Sequence, residues 1–290
     1  MQYSSTALII CLMLATTVWS HEPLTINTRS QKKTSIGKYE TVEQREKWNA
    51  HRTAVIVIDM WDDHWCKSAA ARVTELAPAM NDVLQTARRK GAFVIHAPST
   101  CTAFYKDTPQ RRRAQQAKFS APPHPFTEKD RWGTKWNYPD SKREGELPID
   151  DADMGCDCQV KCEIRDPWKR QIDSIEIAAG DAITDDGQET WNLLAERKID
   201  NVIVLGVHLN MCVLGRPFAI RQMVYHGKNV VLMRDMTDTM YDPRQSPQVS
   251  HFAGTDLVVN HVEKFWCPTI LSTDLTGQPA FAFSADKRKK

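Results

Sequence analysis

The stretch Ala54-Val55-Ile56-Val57-Ile58-Asp59 decides the predicted fold, because it is a continuous apolar, mostly β-branched run that ends in a carboxylate. Such a run suits a strand that is buried on both faces, as in a parallel sheet. An apolar stripe at helical spacing follows over residues 73–87, and it is closed by basic residues and Gly91. Phe93-Val94-Ile95 is a second apolar run, so residues 54–95 predict a βαβ unit.

The same alternation of strand and helix patterns returns in the second half of the chain. Because helices that alternate with apolar strands pack on both faces of an open sheet, the pattern predicts an α/β protein. We expect three α/β/α layers around a mostly parallel, Rossmann-like sheet. The predicted strands are 175–177, 202–205, 230–233 and 269–271, and the predicted helices are 191–198, 212–225 and 257–265.

The composition is that of a globular protein. The 290 residues include 38 Lys and Arg and 36 Asp and Glu, giving a formal net charge of +2, and 41% of them are hydrophobic. These values argue against disorder, and the near-neutral charge gives no reason to expect a nucleic-acid partner. We predict a surface arm at 21–50, an α/β domain at 51–275 with an insertion at about 98–170, and a basic tail at 276–290.

The first 20 residues predict a signal peptide that directs export. They carry no charged side chain, Ala7 to Thr16 is almost wholly apolar, and Val18 and Ser20 are small residues before His21. This is the pattern of a signal peptide cleaved between Ser20 and His21. The alternative is an uncleaved anchor, but the apolar run is well short of the ~20 residues that a spanning helix needs. We therefore expect a secreted or periplasmic protein without a stable membrane anchor.

Export changes what is expected of the cysteines. Removal of Cys11 with the signal peptide leaves seven, an odd number that predicts up to three disulfides and one free thiol at Cys212. Cys156, Cys158 and Cys162 form a close group. Such a group predicts disulfides in an oxidising compartment and zinc in a reducing one, and the sequence leaves both open.

Two residues fall where an open α/β sheet binds its ligands, at the carboxyl ends of the strands. Asp59 ends the first strand, and Cys212 follows the strand 202–205 at the predicted start of a helix. A helix N-terminus favours a thiolate, and a nearby carboxylate can accept the thiol proton, so the pair predicts an unusually reactive sulfur nucleophile. The structural alternatives are a helix-capping carboxylate and a small buried cysteine.

The segment Val202-Ile203-Val204-Leu205-Gly206-Val207-His208-Leu209-Asn210-Met211-Cys212-Val213 resembles the nucleophile motif of the isochorismatase-like cysteine hydrolases, which include nicotinamidase-related amidases. The resemblance covers about 53–97 and 172–265. It implies that Cys212 is the nucleophile, that Asp59 is the base and that the peptide Val207–His208 is cis. It also implies an oxyanion hole of the His208 and Cys212 N–H groups, and hydrolysis of a small amide-type C–N bond through a thioester.

The sequence departs from this family where the family carries the lysine of its catalytic triad. The corresponding stretch, residues 174–181, has no lysine, and the nearest charged residues are Glu176 and Asp181. Lys169, or Lys135 from the insertion, is a candidate substitute. The alternative to an enzyme is therefore a catalytically degenerate member that binds a ligand or a protein partner.

The expected ligand is a small amide-like molecule, with no cofactor and with the oligomeric state, including a homo-oligomer, left open. The Asp-x-His motif of metal-dependent nicotinamidases is absent, and Asp62, Asp63 and His64 are weak candidates for a metal site. The bulky, acidic residues after the first strand exclude a glycine-rich nucleotide loop. Four tryptophans are candidates for the walls of a pocket: Trp61, Trp65, Trp132 and Trp136.

Overall fold

A computed structural model describes residues 23–127 and 135–289 and contains an eight-stranded sheet. Its order is β2-β1-β8-β7-β6-β3-β4-β5. Strands β3 to β8 run parallel to one another, and β1 pairs antiparallel with β2 and β8. The strands are β1 (Leu24–Lys33), β2 (Tyr39–Trp48), β3 (Thr53–Ile58), β4 (Phe93–Ala97), β5 (Ala182–Ile183), β6 (Asn201–Val207), β7 (Asn229–Asp238) and β8 (Thr269–Ile270).

Helices cover both faces of the sheet, which confirms the predicted three-layer α/β/α class. They are α1 (Lys67–Lys90), α2 (Pro109–Gln116), α3 (Gly187–Glu196), α4 (Cys212–Gly215), α5 (Ile220–Tyr225), α6 (His251–Phe265) and α7 (Thr273–Thr276). Strand β3 feeds two cores, because successive side chains point to opposite faces. Ile56 and Ile58 pack with residues of α3 to α6, while Val55 and Val57 pack with α1.

Three local predictions are corrected by the structure. Residues 175–177 form no strand, and β5 comes later, at Ala182–Ile183. The predicted helix 212–225 is broken into α4 and α5, because Pro217 lacks an N–H and restricts the residue before it to an extended conformation. The polar residues 24–48, predicted as a surface arm, form a hairpin that extends the sheet at β8.

The described part of the insertion is mostly irregular and holds α2. It is fastened to the domain at Glu144, which accepts hydrogen bonds from Arg221, His261 and Trp266. Part of the basic tail also docks, since Phe283 stacks on Phe252. The predicted signal peptide lies outside the described residues, and no helix within 23–127 or 135–289 is long and apolar enough to cross a membrane.

Candidate active site

Asp59 stands at the carboxyl end of β3 and is fully buried. Its backbone turns there into a left-handed conformation, with φ of 50°. The Ser99 backbone N–H donates to its Oδ1 at 2.7 Å, and the Asp59 N–H donates to the carbonyl of Ala97. Ala97 at the end of β4 therefore fixes the backbone of Asp59, and Ser99 fixes its carboxyl group, while Oδ2 faces Arg216.

Cys212 begins α4, just beyond the end of the neighbouring strand β6. Its buried thiol lies beside the carboxylate of Asp59 and the guanidinium of Arg216, and both groups act on the pKa of the thiol. The structure thus brings the two residues singled out in the sequence into direct contact. The parallel pairing of β3 with β6 is the reason, because it ends both strands at the same edge of the sheet.

Arg216 is the third member of this cluster, and the sequence analysis missed it. Its Nε lies 3.4 Å from Oδ2 of Asp59, and its guanidinium also faces the ring of Trp136. Arg216 ends α4 in an extended conformation imposed by Pro217, and this conformation leads its side chain back to the sulfur. The available signal was its spacing, four residues after a cysteine at the start of a helix.

Burial dominates the protonation of this cluster. It raises the pKa of the Cys212 thiol well above its usual range, and the negative charge of Asp59 raises it further, while Arg216 opposes both. Burial also raises the pKa of Asp59, and again Arg216 opposes the shift. The sequence predicts an unusually reactive sulfur, and in the free protein burial and Asp59 favour the neutral thiol of Cys212 beside an Asp59–Arg216 ion pair.

Backbone donors lie next to the sulfur. The peptide bond Val207–His208 is cis, as the resemblance implied. The N–H groups of Leu209, Met211 and Val213 are bonded to backbone carbonyls. In the described part of the chain, those of His208 and Cys212 have no such acceptor and are free to bind an oxygen of a ligand.

A cavity of about 600 Å³ opens onto Cys212 and is walled by aromatic rings. Trp61 stacks on Trp168 with ring centroids 4.1 Å apart, and Trp65 and Trp136 complete the walls. Three of the four predicted tryptophans line this pocket, Trp132 lies outside the described residues, and Trp168 is an addition. Trp61 and Trp168 already contact each other face to face, so together they form one apolar wall on which a flat molecule can pack.

Two histidines near the sulfur are neutral. Burial lowers the pKa of His64 to about 4 and lowers that of His208 well below the usual value. Their rings meet edge to face with centroids 4.9 Å apart. The buried Nε2 of His208 has no hydrogen-bond partner among the described residues, and such an atom is costly to leave unpaired. It is therefore a candidate contact for a polar group of a ligand.

The residues proposed as substitutes for the triad lysine do not reach this site, which corrects the sequence analysis. Glu176, Lys169 and Lys135 have exposed side chains. Asp181 is buried, but it pairs with Arg88 at 2.7 Å and with His96 at 3.0 Å. These four residues lie on segments away from the thiol. The cation that contacts Asp59 is Arg216, at the end of α4.

The weak metal candidates also have separate partners. Asp62 accepts from the backbone of Lys169 and Arg170, Asp63 pairs with Lys67, and His64 Nδ1 accepts from the N–H of Cys66. The three side chains do not converge on one point. Among the described residues, the group whose ligand atoms do converge is Cys66, Cys156 and Cys158.

The cysteines of the described chain are all unpaired thiols, so the predicted disulfides are not formed in this structure. Five of the seven are buried and two are half-buried. Cys212 stands apart from the group around Cys158. The remaining two thiols are also separate, since Cys101 donates to a carbonyl beside Asp59 and Cys267 lies near the end of α6.

No protein-family model matches the sequence, and no curated protein matches it. Similar solved structures include a cysteine hydrolase from Pseudomonas syringae pv. phaseolicola 1448A, with 18% identity over 79% of this chain and 92% of that chain and a TM-score of 0.46. An isochorismatase from Pseudomonas putida KT2440 has 13% identity over 78% and 91%, with a TM-score of 0.46. N-carbamoylsarcosine amidase from Thermoplasma acidophilum has 13% identity over 67% and 87%, with a TM-score of 0.37. Values this low do not transfer a function to this chain, which has to be inferred from the site.

Proposed function

We propose that the protein is a cysteine hydrolase that cleaves the C–N bond of a small, flat amide through a thioester intermediate. The observation that carries the proposal is the buried contact of Cys212 with Asp59 and Arg216. A thiol, a carboxylate and a cation in one cluster supply a nucleophile, a base for its proton and a charge that keeps the base ionised. Arg216 takes the part that a lysine plays in the family that the sequence resembles.

The chemistry follows from the resting protonation. Asp59 accepts the proton of the Cys212 thiol as the sulfur attacks the amide carbon, and the carbonyl oxygen gains negative charge. The free N–H groups of His208 and Cys212 bind that oxygen. The protonated Asp59 then donates to the leaving amine, and a thioester remains on Cys212. Asp59 next deprotonates a water molecule, which attacks the thioester and releases the acid and the free thiol.

The pocket indicates the substrate class. Stacked tryptophans favour a planar, unsaturated acyl group, and the unpartnered Nε2 of His208 offers a hydrogen bond to a ring nitrogen, hydroxyl or second amide. Because His64 and His208 are neutral, they add no positive charge to attract an anionic substrate. A neutral heteroaromatic or carbamoyl amide fits these features.

A second candidate function is ligand binding without catalysis. It is favoured by one observation, the raised pKa of the Cys212 thiol, which leaves little thiolate in the free protein. Under this alternative, Cys212 is a buried polar contact and the pocket binds the same class of flat molecule.

Release of ammonia from a panel of small planar amides tests the two candidates. We expect turnover of at least one amide by the full chain, none by Cys212→Ser, and a mass increase equal to the acyl group on Cys212 in rapidly quenched samples. Binding of the amides, measured by tryptophan fluorescence, without turnover or acylation would favour the binding protein.

We also propose that the chain is exported and cleaved between Ser20 and His21, without a membrane anchor. The support is the uncharged, apolar start of the sequence. N-terminal sequencing of the protein from its native host should give His21 as the first residue. A chain in the cytosolic fraction that still begins with Met1 would contradict this.

A further inference from the structure

A second group of reactive side chains lies outside the candidate active site, where the connection between β3 and α1 meets the insertion. The sulfur atoms of Cys66, Cys156 and Cys158 all lie within 4.8 Å of one another. Cys162 follows four residues after Cys158 and lies beside Cys156 and Cys158, although its sulfur is outside the group of three that are mutually within 4.8 Å. Cys66 is about 90 residues away in the sequence, so the fold itself assembles the group.

The spacing of the sulfur atoms identifies what the group suits. Cys66 Sγ and Cys158 Sγ are 3.8 Å apart. Ligands at a Zn–S distance of ~2.3 Å in a tetrahedron have sulfur atoms about 3.8 Å apart. A disulfide needs ~2.05 Å, and two separate disulfides would not place three sulfur atoms mutually close. The distance between Cys66 Sγ and Cys158 Sγ therefore equals the separation of two thiolate ligands on a tetrahedral metal, and the third sulfur lies within 4.8 Å of both.

The surroundings stabilise negative charge on one of these sulfur atoms, that of Cys158. Cys66 is the residue before α1, a 24-residue helix, and the Ser68 backbone N–H in its first turn donates to Cys158 Sγ at 3.3 Å. The Ser68 hydroxyl lies 3.1 Å from the same sulfur. Lys161 donates to the carbonyl of Cys156, and Arg244 donates to that of Cys158. Cations and N–H donors thus hold the segment that carries the ligands.

We propose that Cys66, Cys156, Cys158 and Cys162 bind a zinc ion as a structural four-thiolate site. The cluster fits zinc better than calcium or magnesium, because thiolates are soft ligands and those cations prefer oxygen. Zinc binds the reduced thiolates that oxidation to a disulfide would consume, so zinc loading and disulfide formation exclude each other here. An exported chain would have to bind zinc before its thiols meet an oxidant.

The site would tie two parts of the pocket wall together. Trp65 precedes Cys66, and Met154 lies two residues before Cys156, and both line the cavity at Cys212. A bound metal therefore stabilises the insertion against the domain and keeps these two side chains in place, without taking part in the chemistry at Cys212.

Metal analysis of the full chain, purified without chelator, tests the proposal. We expect about one zinc per chain by elemental mass spectrometry, and less than a tenth of that in the double variant Cys156→Ser, Cys158→Ser. Cys267→Ser is the matched control, a buried cysteine outside the group, and should keep its zinc. Cys212→Ser should keep it as well, so a failure of the proposed hydrolase would leave this result unchanged.

Cobalt substitution counts the ligands, even if the double variant folds poorly. Co²⁺ added to the apo-protein should give sulfur-to-metal charge-transfer absorption, and Cys162→Ser should lower its intensity by about a quarter. A chain that contains no zinc, takes up no Co²⁺ and has the mass expected for two disulfides would overturn the proposal. Zinc retained by the double variant would overturn it equally.

Discussion

The guanidinium of Arg216 opposes the effect of burial on the protonation of the two groups beside it. A buried carboxylate and a buried thiol both resist ionisation, and Arg216 is the positive charge that favours the ionised form of each. Its planar group can donate to Asp59 and to Cys212 at once, which a lysine ammonium does less well in a fixed geometry. Arg216 therefore does more than replace the positive charge of the lysine in the family that the sequence resembles.

Replacing Arg216 with methionine should lower the hydrolysis rate by ~10²–10⁴, the range for loss of a working general base. The reason is that the pKa of Asp59 rises further without the cation, so the carboxyl group is protonated at neutral pH. Arg216→Lys is the matched control and should retain much more activity. The initial rates of both variants are measured against pH with the amide that the native protein hydrolyses fastest. A methionine variant that keeps the native rate would contradict the proposed role of Arg216.

Replacing Asp59 with asparagine should change hydrolysis and alkylation in opposite directions. Hydrolysis should fall by ~10²–10⁴ because the base is lost. Alkylation of Cys212 by iodoacetamide at pH 8 should become faster, because the carboxylate that raises the thiol pKa is gone while Arg216 remains. Labelling followed by peptide mass spectrometry gives the alkylation rate. Slower alkylation than in the native protein would show that Asp59 does not repel the thiolate.

At the scale of the elements, the site depends on how closely β3 and β6 pack where they end. Gly206 in β6 has φ of 115°, and a Cβ there would lie 2.0 Å from the carbonyl oxygen of Ile58. Only glycine allows this approach, and it places the residues that follow β6 against Asp59.

Gly206→Ala should therefore destabilise the protein by more than about 2 kcal/mol, because the side chain meets backbone that cannot move aside and the conformation is strained. Gly180→Ala is the control, since nothing lies within 4 Å of its added Cβ and its backbone is not left-handed. Urea unfolding of both variants, followed by tryptophan fluorescence, measures the difference. Equal midpoints would mean that the two strands can separate without cost.

At the scale of the whole molecule, Glu144 joins the insertion to α5 and α6. Its side chain is 1% exposed and pairs with Arg221 at 2.8 Å. Burial alone would raise the pKa of Glu144, but hydrogen bonds from His261 and the charge and hydrogen bonds of Arg221 outweigh burial and lower it to about 2.

This shift predicts how stability depends on pH. The folded pKa lies below the unfolded value of ~4.3, so Glu144 contributes its full stabilisation above that value and loses it as the pH falls toward 2. The complete loss should be about 3 kcal/mol, of which about 2 kcal/mol falls between about pH 5 and pH 2.5. Unfolding by urea between pH 5 and pH 2.5 measures it, and Glu144→Gln should be less stable at pH 5 and show a flatter dependence. A native slope equal to that of the variant would exclude Glu144 as the source.

The sequence by itself determined the sheet, the helices on its two faces and the edge that holds the site. These features follow from local patterns, because a buried parallel strand must be apolar on both sides and a covering helix must carry an apolar stripe. Asp59 and Cys212 could be placed together because the carboxyl ends of parallel strands meet.

Only the tertiary structure decided which charged group lies beside Asp59 and Cys212, and which other thiols lie close to one another. Arg216 reaches Asp59 because Pro217 ends α4. The spacing of apolar residues in the sequence predicts which face of a helix is buried, but it does not predict the direction of a polar side chain. Cys66 meets Cys158 only after α1 and the insertion have packed, since the sulfur atoms belong to segments about 90 residues apart. The sequence pattern did not predict the hairpin of β1 and β2 for a similar reason. Its polar strands are stabilised by pairing at the sheet edge and bury few side chains of their own.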